Sequence, residues 1–197
     1  MKPYYILLFA FITLSIAQTV PTSVVAVESG TATFDAGTNV PGIEVKGKSN
    51  TMAARAEVSQ DSKGLVLQRI EASVPVKSLA TGMKVRDEHM RKYIFTTPDG
   101  QEPDLHFAAD TTVCPDAATS HDFACQLAGN LSIRNTPRPV GVTLRVKRQG
   151  GSPTAFRAEC DGIVKLSDYG IAAPSQFGVK PANEVKFHVE FTGKEKP

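Results

Sequence analysis

The sequence contains no tryptophan and few cysteines, and its positive and negative charges nearly cancel. With 22 basic and 20 acidic residues, the formal net charge of +2 gives no electrostatic reason to expect a nucleic-acid partner. The three cysteines and four histidines include no CxxC, HxH or HExxH pattern, so the common sequence signatures of a metal site are missing. We therefore expect no metal and no cofactor.

Catalytic motifs are missing as well. There is no GxSxG nucleophile elbow and no GxGxxG dinucleotide fingerprint. No serine lies beside histidine and aspartate in a recognisable pattern for nucleophilic catalysis. The sequence favours a binding protein over an enzyme, and an exported hydrolase is the alternative.

A long apolar run occurs only near the N-terminus. An uncharged apolar run over residues 4–16 suits a signal peptide and is shorter than the roughly 18 residues that a membrane-spanning helix needs. We predict a signal peptide over residues 1–17, cleaved after Ala17 rather than after Ala26, and one domain over residues 18–197. We also expect a periplasmic or secreted protein with no transmembrane segment in the mature chain.

Apolar residues recur at every second position in seven stretches that turn-forming residues separate. Such alternation is typical of strands with one buried and one solvated face. Shorter alternations at 31–35 and 43–49 bring the predicted number of strands to eight or nine. The seven stretches are 52–58, 70–76, 105–109, 127–133, 140–146, 158–164 and 185–191.

Only one helix is predicted, from Gly82 to about Lys92. One helix cannot cover a whole open sheet. The apolar stripes are buried either in a sheet that closes into a barrel or between two sheets packed face to face. Both architectures produce the same alternation, so the pattern alone leaves the choice open.

Three stretches carry a resemblance to a known family. Residues 74–90 read VPVKSLATGMKVRDEHM, residues 131–140 read LSIRNTPRPV and residues 167–171 read SDYGI. In these stretches the chain resembles the YceI-like polyisoprenoid-binding family, whose members are exported, lipocalin-like barrels. The resemblance implies an all-β fold, an antiparallel eight-stranded lipocalin-like β-barrel with one short helix.

A barrel of eight strands is either filled by its own side chains or holds one small ligand. The inward stripes are rich in small residues, which favours a cavity: Ala54, Ala56, Ala72, Ala109, Gly129, Ala158, Cys160 and Gly162. A cavity with few polar groups favours a long hydrocarbon, since each unpaired polar group of a ligand would cost on the order of 1–3 kcal/mol. Together with the resemblance, this implies an isoprenoid or other long-chain lipid as the partner. The residues expected to line its site are Ile70, Val74, Leu105, Phe107, Leu131, Ile133, Val142, Leu144, Phe187 and Val189.

Arg86, Asp87 and His89 form the strongest polar cluster and lie within the best match to the family. In one interpretation they stand at the barrel opening, where Arg86 holds a polar ligand head and Asp87 orients Arg86 or His89. In the other, Asp87 accepts hydrogen bonds from the backbone and from Arg86 and fixes the helix to the barrel rim. The sequence favours the second slightly, because short charged turns most often anchor structure.

Two cysteines, Cys114 and Cys125, flank a polar segment between two predicted strands. In an oxidising compartment this pair is expected to form a disulfide, worth on the order of 3 kcal/mol. Cys160 lies on an apolar stripe, where a buried and unreactive thiol is expected.

The leading functional hypothesis is a carrier or sequestering protein that encloses an isoprenoid chain, such as a polyprenyl lipid or a quinone tail. The alternative is a barrel without ligand that acts through its outer surface on an envelope protein partner. A homodimer is compatible with both.

Overall fold

The computed structural model describes residues 22–118, 122–148, 154–175 and 178–196. The predicted signal peptide lies outside these residues. The described part contains one α-helix and nine strands, and none of its helical segments is long and apolar enough to cross a membrane. The elements are β1 Thr22–Gly37, β2 Glu44–Ser49, β3 Ala53–Asp61, β4 Gly64–Val74, α1 Lys84–Met90, β5 Leu105–Cys114, β6 Asp122–Ile133, β7 Thr136–Arg148, β8 Ala155–Lys165 and β9 Glu184–Lys196.

The strands form one antiparallel sheet that closes on itself. Strands β3 to β9 pair in chain order, and β1 pairs with both β3 and β9. β2 lies in line with β3 along β1 and keeps the same register, with Ala32 opposite Ser49 and Ala26 opposite Arg55. β2 and β3 thus act as one barrel strand interrupted at residues 50–52. The predicted eight-stranded antiparallel barrel is confirmed.

Because the strands run alternately up and down, the connections collect at two ends of the barrel. The α1 end carries the links at 38–43, 75–104, 134–135 and 166–183, and the remaining links between strands lie at the disulfide end. Each end has its own apolar cluster. The cluster at the α1 end is built around Val76, Leu79 and Phe95, which are at most 8% exposed.

The helix is shorter than predicted. α1 covers Lys84–Met90, and a π-helical turn continues it over Arg91–Phe95, closed by a hydrogen bond of 2.8 Å from the Thr96 amide to the Arg91 carbonyl. This turn brings Phe95 into the apolar cluster at the α1 end, next to partly buried Met90. The helical segment from Lys84 to Phe95 therefore packs against the barrel through residues of its second half.

The predicted disulfide between Cys114 and Cys125 is confirmed, with a Cα–Cα distance of 5.3 Å. It links β5 to β6, two strands that pair only from His106 to Ala108. The covalent bond lies at the opposite end of this seam from the paired residues. It therefore holds the barrel closed where the described β5–β6 pairing does not extend.

Candidate functional site

The barrel encloses a long cavity of about 870 Å³ that extends from the α1 end to the disulfide end. Side chains from all nine strands and from α1 line it, and most of them are apolar. Among the charged lining residues, Glu44 and Arg86 lie at the α1 end, and Arg148 and Glu195 at the disulfide end. The arrangement suits a long apolar molecule with at most a polar group at one end.

All ten apolar residues predicted from the alternating stripes line this cavity: Ile70, Val74, Leu105, Phe107, Leu131, Ile133, Val142, Leu144, Phe187 and Val189. They come from strands β4 to β7 and β9, and the side-chain period of two places them on the inner face. Their contact with a ligand stays a prediction.

The small residues of the stripes leave the cavity open in two different ways. Ala54, Ala56, Ala72, Ala158 and Cys160 line it directly. Gly129 and Gly162 instead lie beneath the rings of Phe107 and Phe187, so closely that a Cβ atom at either glycine would collide with the ring. Ala109 is buried at 7% exposure but does not line the cavity.

Asp87 faces away from the cavity. Its Oδ1 accepts hydrogen bonds from the Thr81 amide at 2.6 Å and from the Thr81 hydroxyl at 2.5 Å. The carboxylate thus fixes the turn that precedes α1, and Asp87 is not among the lining residues. The bond from the Thr81 amide is the backbone contact that the second interpretation expects, but the other bond comes from the Thr81 hydroxyl, whereas Arg86 donates to the Thr81 carbonyl and not to Asp87.

Arg86 and His89 both line the cavity. Arg86 donates from Nη2 to the Thr81 carbonyl at 2.6 Å, while its Nε is shielded from solvent and has no hydrogen-bond partner within the described residues. The His89 ring packs edge-on against Tyr93, with ring centroids 5.4 Å apart. Arg86 therefore lines the cavity while the Thr81 carbonyl anchors its guanidinium.

Several lining residues escaped the sequence analysis. On β4, Leu65 and Leu67 line the cavity below the stretch that was predicted as a strand. At the α1 end, Ile43, Met83 and Val85 line the opening and are 45%, 58% and 58% exposed. The apolar run Leu-Val-Leu at 65–67 could have revealed the first pair, whereas exposed residues of a loop and a short helix carry no such signal.

The stretches that carry the family resemblance meet at the α1 end. The Tyr169 hydroxyl donates to the Leu131 carbonyl at 3.2 Å, and Arg134 Nη2 donates to the Tyr93 carbonyl at 2.5 Å. Burial raises the pKa of Tyr169, so its hydroxyl stays protonated as the donor. These bonds tie both outer stretches to each other and to the segment that carries α1, and together they build the rim of the cavity.

Cys160 is a free thiol on the cavity wall. Burial, helped by the nearby Asp161 carboxylate, raises the pKa of this thiol to about 12. At neutral pH it is almost entirely protonated, and the protonated thiol is a poor nucleophile. Cys160 therefore forms part of the apolar wall, and it is partly exposed where the sequence predicted a buried thiol.

A second polar group lies on the outer face of β8 and β9. Asp161 Oδ1 and His188 Nδ1 are 2.8 Å apart, and Arg145 pairs with the other oxygen of the same carboxylate. The hydrogen bond with His188 and then the contact with Arg145 lower the pKa of Asp161. Arg145 thus forms an ion pair with Asp161 on the outer surface of the barrel. Within the described ranges, no group of three or more His, Cys, Asp or Glu residues could hold a metal ion.

Comparisons with known proteins agree with this architecture. The family model for the YceI-like domain matches residues 23–192. A polyisoprenoid binding domain from Saccharophagus degradans, implicated in plant cell wall breakdown, is similar in structure at 15% identity, with a TM-score of 0.63 over 91% of this chain and 100% of that chain. Burkholderia cenocepacia BcnA is similar at 15% identity, with a TM-score of 0.57 over 88% and 99%. A Campylobacter jejuni YceI protein is similar at 16% identity, with a TM-score of 0.58 over 81% and 90%.

No curated protein matches the chain. At 15–16% identity the solved structures show the shared fold alone, whereas the family model spans most of the chain. The sequence stretches at 74–90, 131–140 and 167–171 fall within the matched region. The chain therefore belongs to the YceI-like family.

Proposed function

We propose that the protein is an exported carrier or sequestering protein that encloses an isoprenoid chain, such as a polyprenyl lipid or a quinone tail. The observation that carries this proposal is the open apolar cavity of about 870 Å³. A barrel that worked only through its outer surface would gain stability by filling this space with its own side chains. The similar structure from Saccharophagus degradans, described as a polyisoprenoid binding domain, supports the same ligand class.

The cavity volume sets the length of chain that fits. At about 30 Å³ for each water-sized group, 870 Å³ holds about 29 groups, or roughly six isoprene units of five carbons. At about 0.3 kcal/mol for each non-hydrogen atom, such a chain would bind with about 9 kcal/mol, which corresponds to a submicromolar dissociation constant. In a longer polyprenyl chain, the units beyond the sixth would extend out of the opening.

The polar head of the lipid is proposed to lie at the α1 end beside Arg86 and His89. The position of Arg86 and His89 on the cavity wall supports this placement, because a guanidinium there can donate charge-assisted hydrogen bonds to an oxygen of the ligand. A phenol, carbonyl or phosphate oxygen of a ligand would supply the acceptor. In this role Arg86 is a ligand-binding residue and Asp87 a positioning residue.

Export to the periplasm or beyond the cell is supported by the disulfide, which forms and persists in oxidising compartments. The proposed cleavage after Ala17 leaves all of β1 in the mature protein. Cleavage after Ala26 would remove the residues of β1 that pair with β3, from Thr22 to Ala26. We therefore retain Ala17 as the proposed site.

The proposal is tested by extracting the purified mature protein with organic solvent and identifying the bound lipid by mass spectrometry. Titration with a series of prenyl alcohols should show affinity that rises with chain length and levels off near six units. Palmitate serves as the comparison for a straight chain. A protein that yields no lipid in stoichiometric amount and takes up no prenyl chain would refute the carrier function.

A further inference from the structure

Exposed apolar side chains are concentrated at the α1 opening of the cavity. Seven large apolar side chains are exposed within the described residues, and four of them lie at this end: Ile43, Met83, Val85 and Tyr93. Met83 and Val85 are each 58% exposed and also line the cavity, so the apolar lining continues onto the outer surface. A patch of this kind marks an interaction site more often than a solvated surface.

Basic side chains accompany these apolar residues. Residues 84–94 contain four basic and two acidic side chains, a stronger bias than the near balance of the whole chain. Both acids keep their negative charge, since Asp87 accepts hydrogen bonds only from the neutral Thr81, and four basic against two acidic side chains leave the segment with a net charge of +2. Within the described part of the chain, none of the four cations forms an ion pair, in contrast to Arg55, Arg145 and Arg157 on the barrel wall. The four cations are Lys84, Arg86, Arg91 and Lys92.

We propose that this surface docks on a bilayer of anionic phospholipid, with the cavity opening turned toward the membrane. The mouth face consists of Ile43, Met83, Lys84, Val85, Lys92 and Tyr93. Docking is a property additional to the carrier function. It rests on the proposed carrier function only in one respect, the identity of the molecule that passes through the opening.

The chemistry of the mouth face matches the boundary between lipid head groups and acyl chains. Met83 and Val85 supply apolar tips that can enter the acyl region, and Tyr93 has an apolar ring with a polar tip, which suits the head-group level. The Lys92 ammonium lies 5.3 Å from the centroid of the Tyr93 ring, so charge and aromatic group face the same side. Lysines beside such a surface are attracted to anionic head groups.

Two considerations favour a bilayer over a second copy of the chain. In a symmetric dimer the unpaired lysines of one copy would approach those of the other, and like charges repel. A prenyl chain that left the opening into water would expose its whole apolar surface, whereas a docked opening passes it directly into the acyl region. Both charge and hydrophobicity therefore point to an anionic membrane.

Vesicle flotation tests the proposal, with phosphatidylcholine vesicles that either contain or lack phosphatidylglycerol. We expect binding to require phosphatidylglycerol and to weaken as salt increases. The double variant Lys84→Glu/Lys92→Glu should lose at least about 25-fold in vesicle affinity, from about a factor of five for each lysine. The matched control is Lys63→Glu/Lys196→Glu, which makes the same charge change at exposed positions of the disulfide end.

A second readout uses the absence of tryptophan from the chain. Met83→Trp places the only tryptophan of the chain at the opening, and its emission should shift to the blue only when phosphatidylglycerol vesicles are added. Uptake of a soluble fluorescent farnesyl probe in the lysine variant separates docking from ligand binding, since neither lysine lines the cavity.

The outcomes are distinguishable. Lost vesicle binding in the α1-end variant, with binding kept in the control and probe uptake kept in both, supports docking. Equal loss in the two double variants, or no vesicle binding by the wild type at low salt, overturns docking and leaves the carrier function standing. Concentration-dependent dimerisation that Met83→Asp abolishes, without vesicle binding, overturns docking in favour of a second copy. Failure of probe uptake in the wild type counts against the carrier function instead.

Discussion

Replacing one alanine of the cavity wall tests whether the open space is the working part of the molecule. Ala54 on β3 pairs with Ala72 on β4, and both line the cavity. Ala54→Phe adds six carbon atoms to the lumen. The neighbouring Ala53 is exposed and does not line the cavity, so Ala53→Phe adds the same ring on the opposite face of the same strand.

The expected loss of affinity follows from the number of ligand atoms displaced. Six atoms at about 0.3 kcal/mol each give about 2 kcal/mol, and six methylene groups at about 0.8 kcal/mol each give about 5 kcal/mol. Ala54→Phe should therefore weaken binding of a six-unit prenyl chain by at least about 20-fold. A chain one unit shorter should recover most of this loss, because the ring occupies about the volume of one isoprene unit.

The free energy of unfolding of the same two variants is an independent test of whether the lumen is open. A ring that enters an open apolar cavity meets few atoms, so Ala54→Phe should change the free energy of unfolding by less than about 1 kcal/mol, whereas overpacking a filled core costs about 1–3 kcal/mol. Binding is measured by fluorescence titration and stability by urea denaturation. Equal affinities for the two phenylalanine variants, or a large destabilisation by Ala54→Phe alone, would refute the reasoning that the lumen is open and holds the ligand.

Three further predictions concern groups around the cavity. Cys114→Ser/Cys125→Ser should lower the free energy of unfolding in urea by about 3 kcal/mol, the loop-closure value for a separation of 11 residues, and should speed hydrogen exchange along the β5–β6 seam; unchanged exchange there would contradict the role given to the disulfide. Asp87→Ala should cost about 1–3 kcal/mol of stability by removing two hydrogen bonds, whereas the exposed Glu88→Ala should cost less than about 0.5 kcal/mol in the same assay. Because the pKa of the Cys160 thiol is about 12 in the folded protein and 9.0 in the reference state, its contribution to stability is intact below pH 9 and is lost as the pH rises toward 12. Between about pH 9 and 12, the free energy of unfolding should fall more steeply with pH for the wild type than for Cys160→Ser. Identical slopes for the two proteins would count against a buried thiol.

The sequence predicted the inner face of the barrel better than the lengths of its strands, and β4 shows why. Across β3 and β4 the register shifts from Arg55 opposite Glu71 to Glu57 opposite Gln68, so β4 carries one extra residue there, and Arg69 has a φ of 47°. Such a bulge reverses which alternate residues face inward. A search for strict alternation therefore ends at the bulge, which is why β4 was predicted to begin near residue 70.

The opening of the cavity was less predictable because its residues follow no single periodicity. The family resemblance placed Arg86, Asp87 and His89 in one cluster, and the structure brings the first and third of them to the cavity wall. Asp87 is directed to Thr81 by a turn whose geometry depends on contacts distant in sequence, such as the backbone pairing of Lys48 with Ala80. Local patterns carry no record of such contacts, so the division of roles within the cluster required coordinates.

The open lumen also depends on how glycine and phenylalanine are paired across strands. Gly162 lies directly opposite Phe187, and a Cβ atom at Gly129 would come within 2.6 Å of Cζ of Phe107. Each ring thus packs against a glycine of the neighbouring strand, where any larger residue would collide with it. The rings then form part of the wall and cover backbone that glycine leaves bare, instead of filling the lumen. The small residues of the stripes are therefore necessary for the cavity, but some of them act by making room for an aromatic ring of the neighbouring strand. A count of small residues does not show this pairing, so the pairing could be recognised only in the structure.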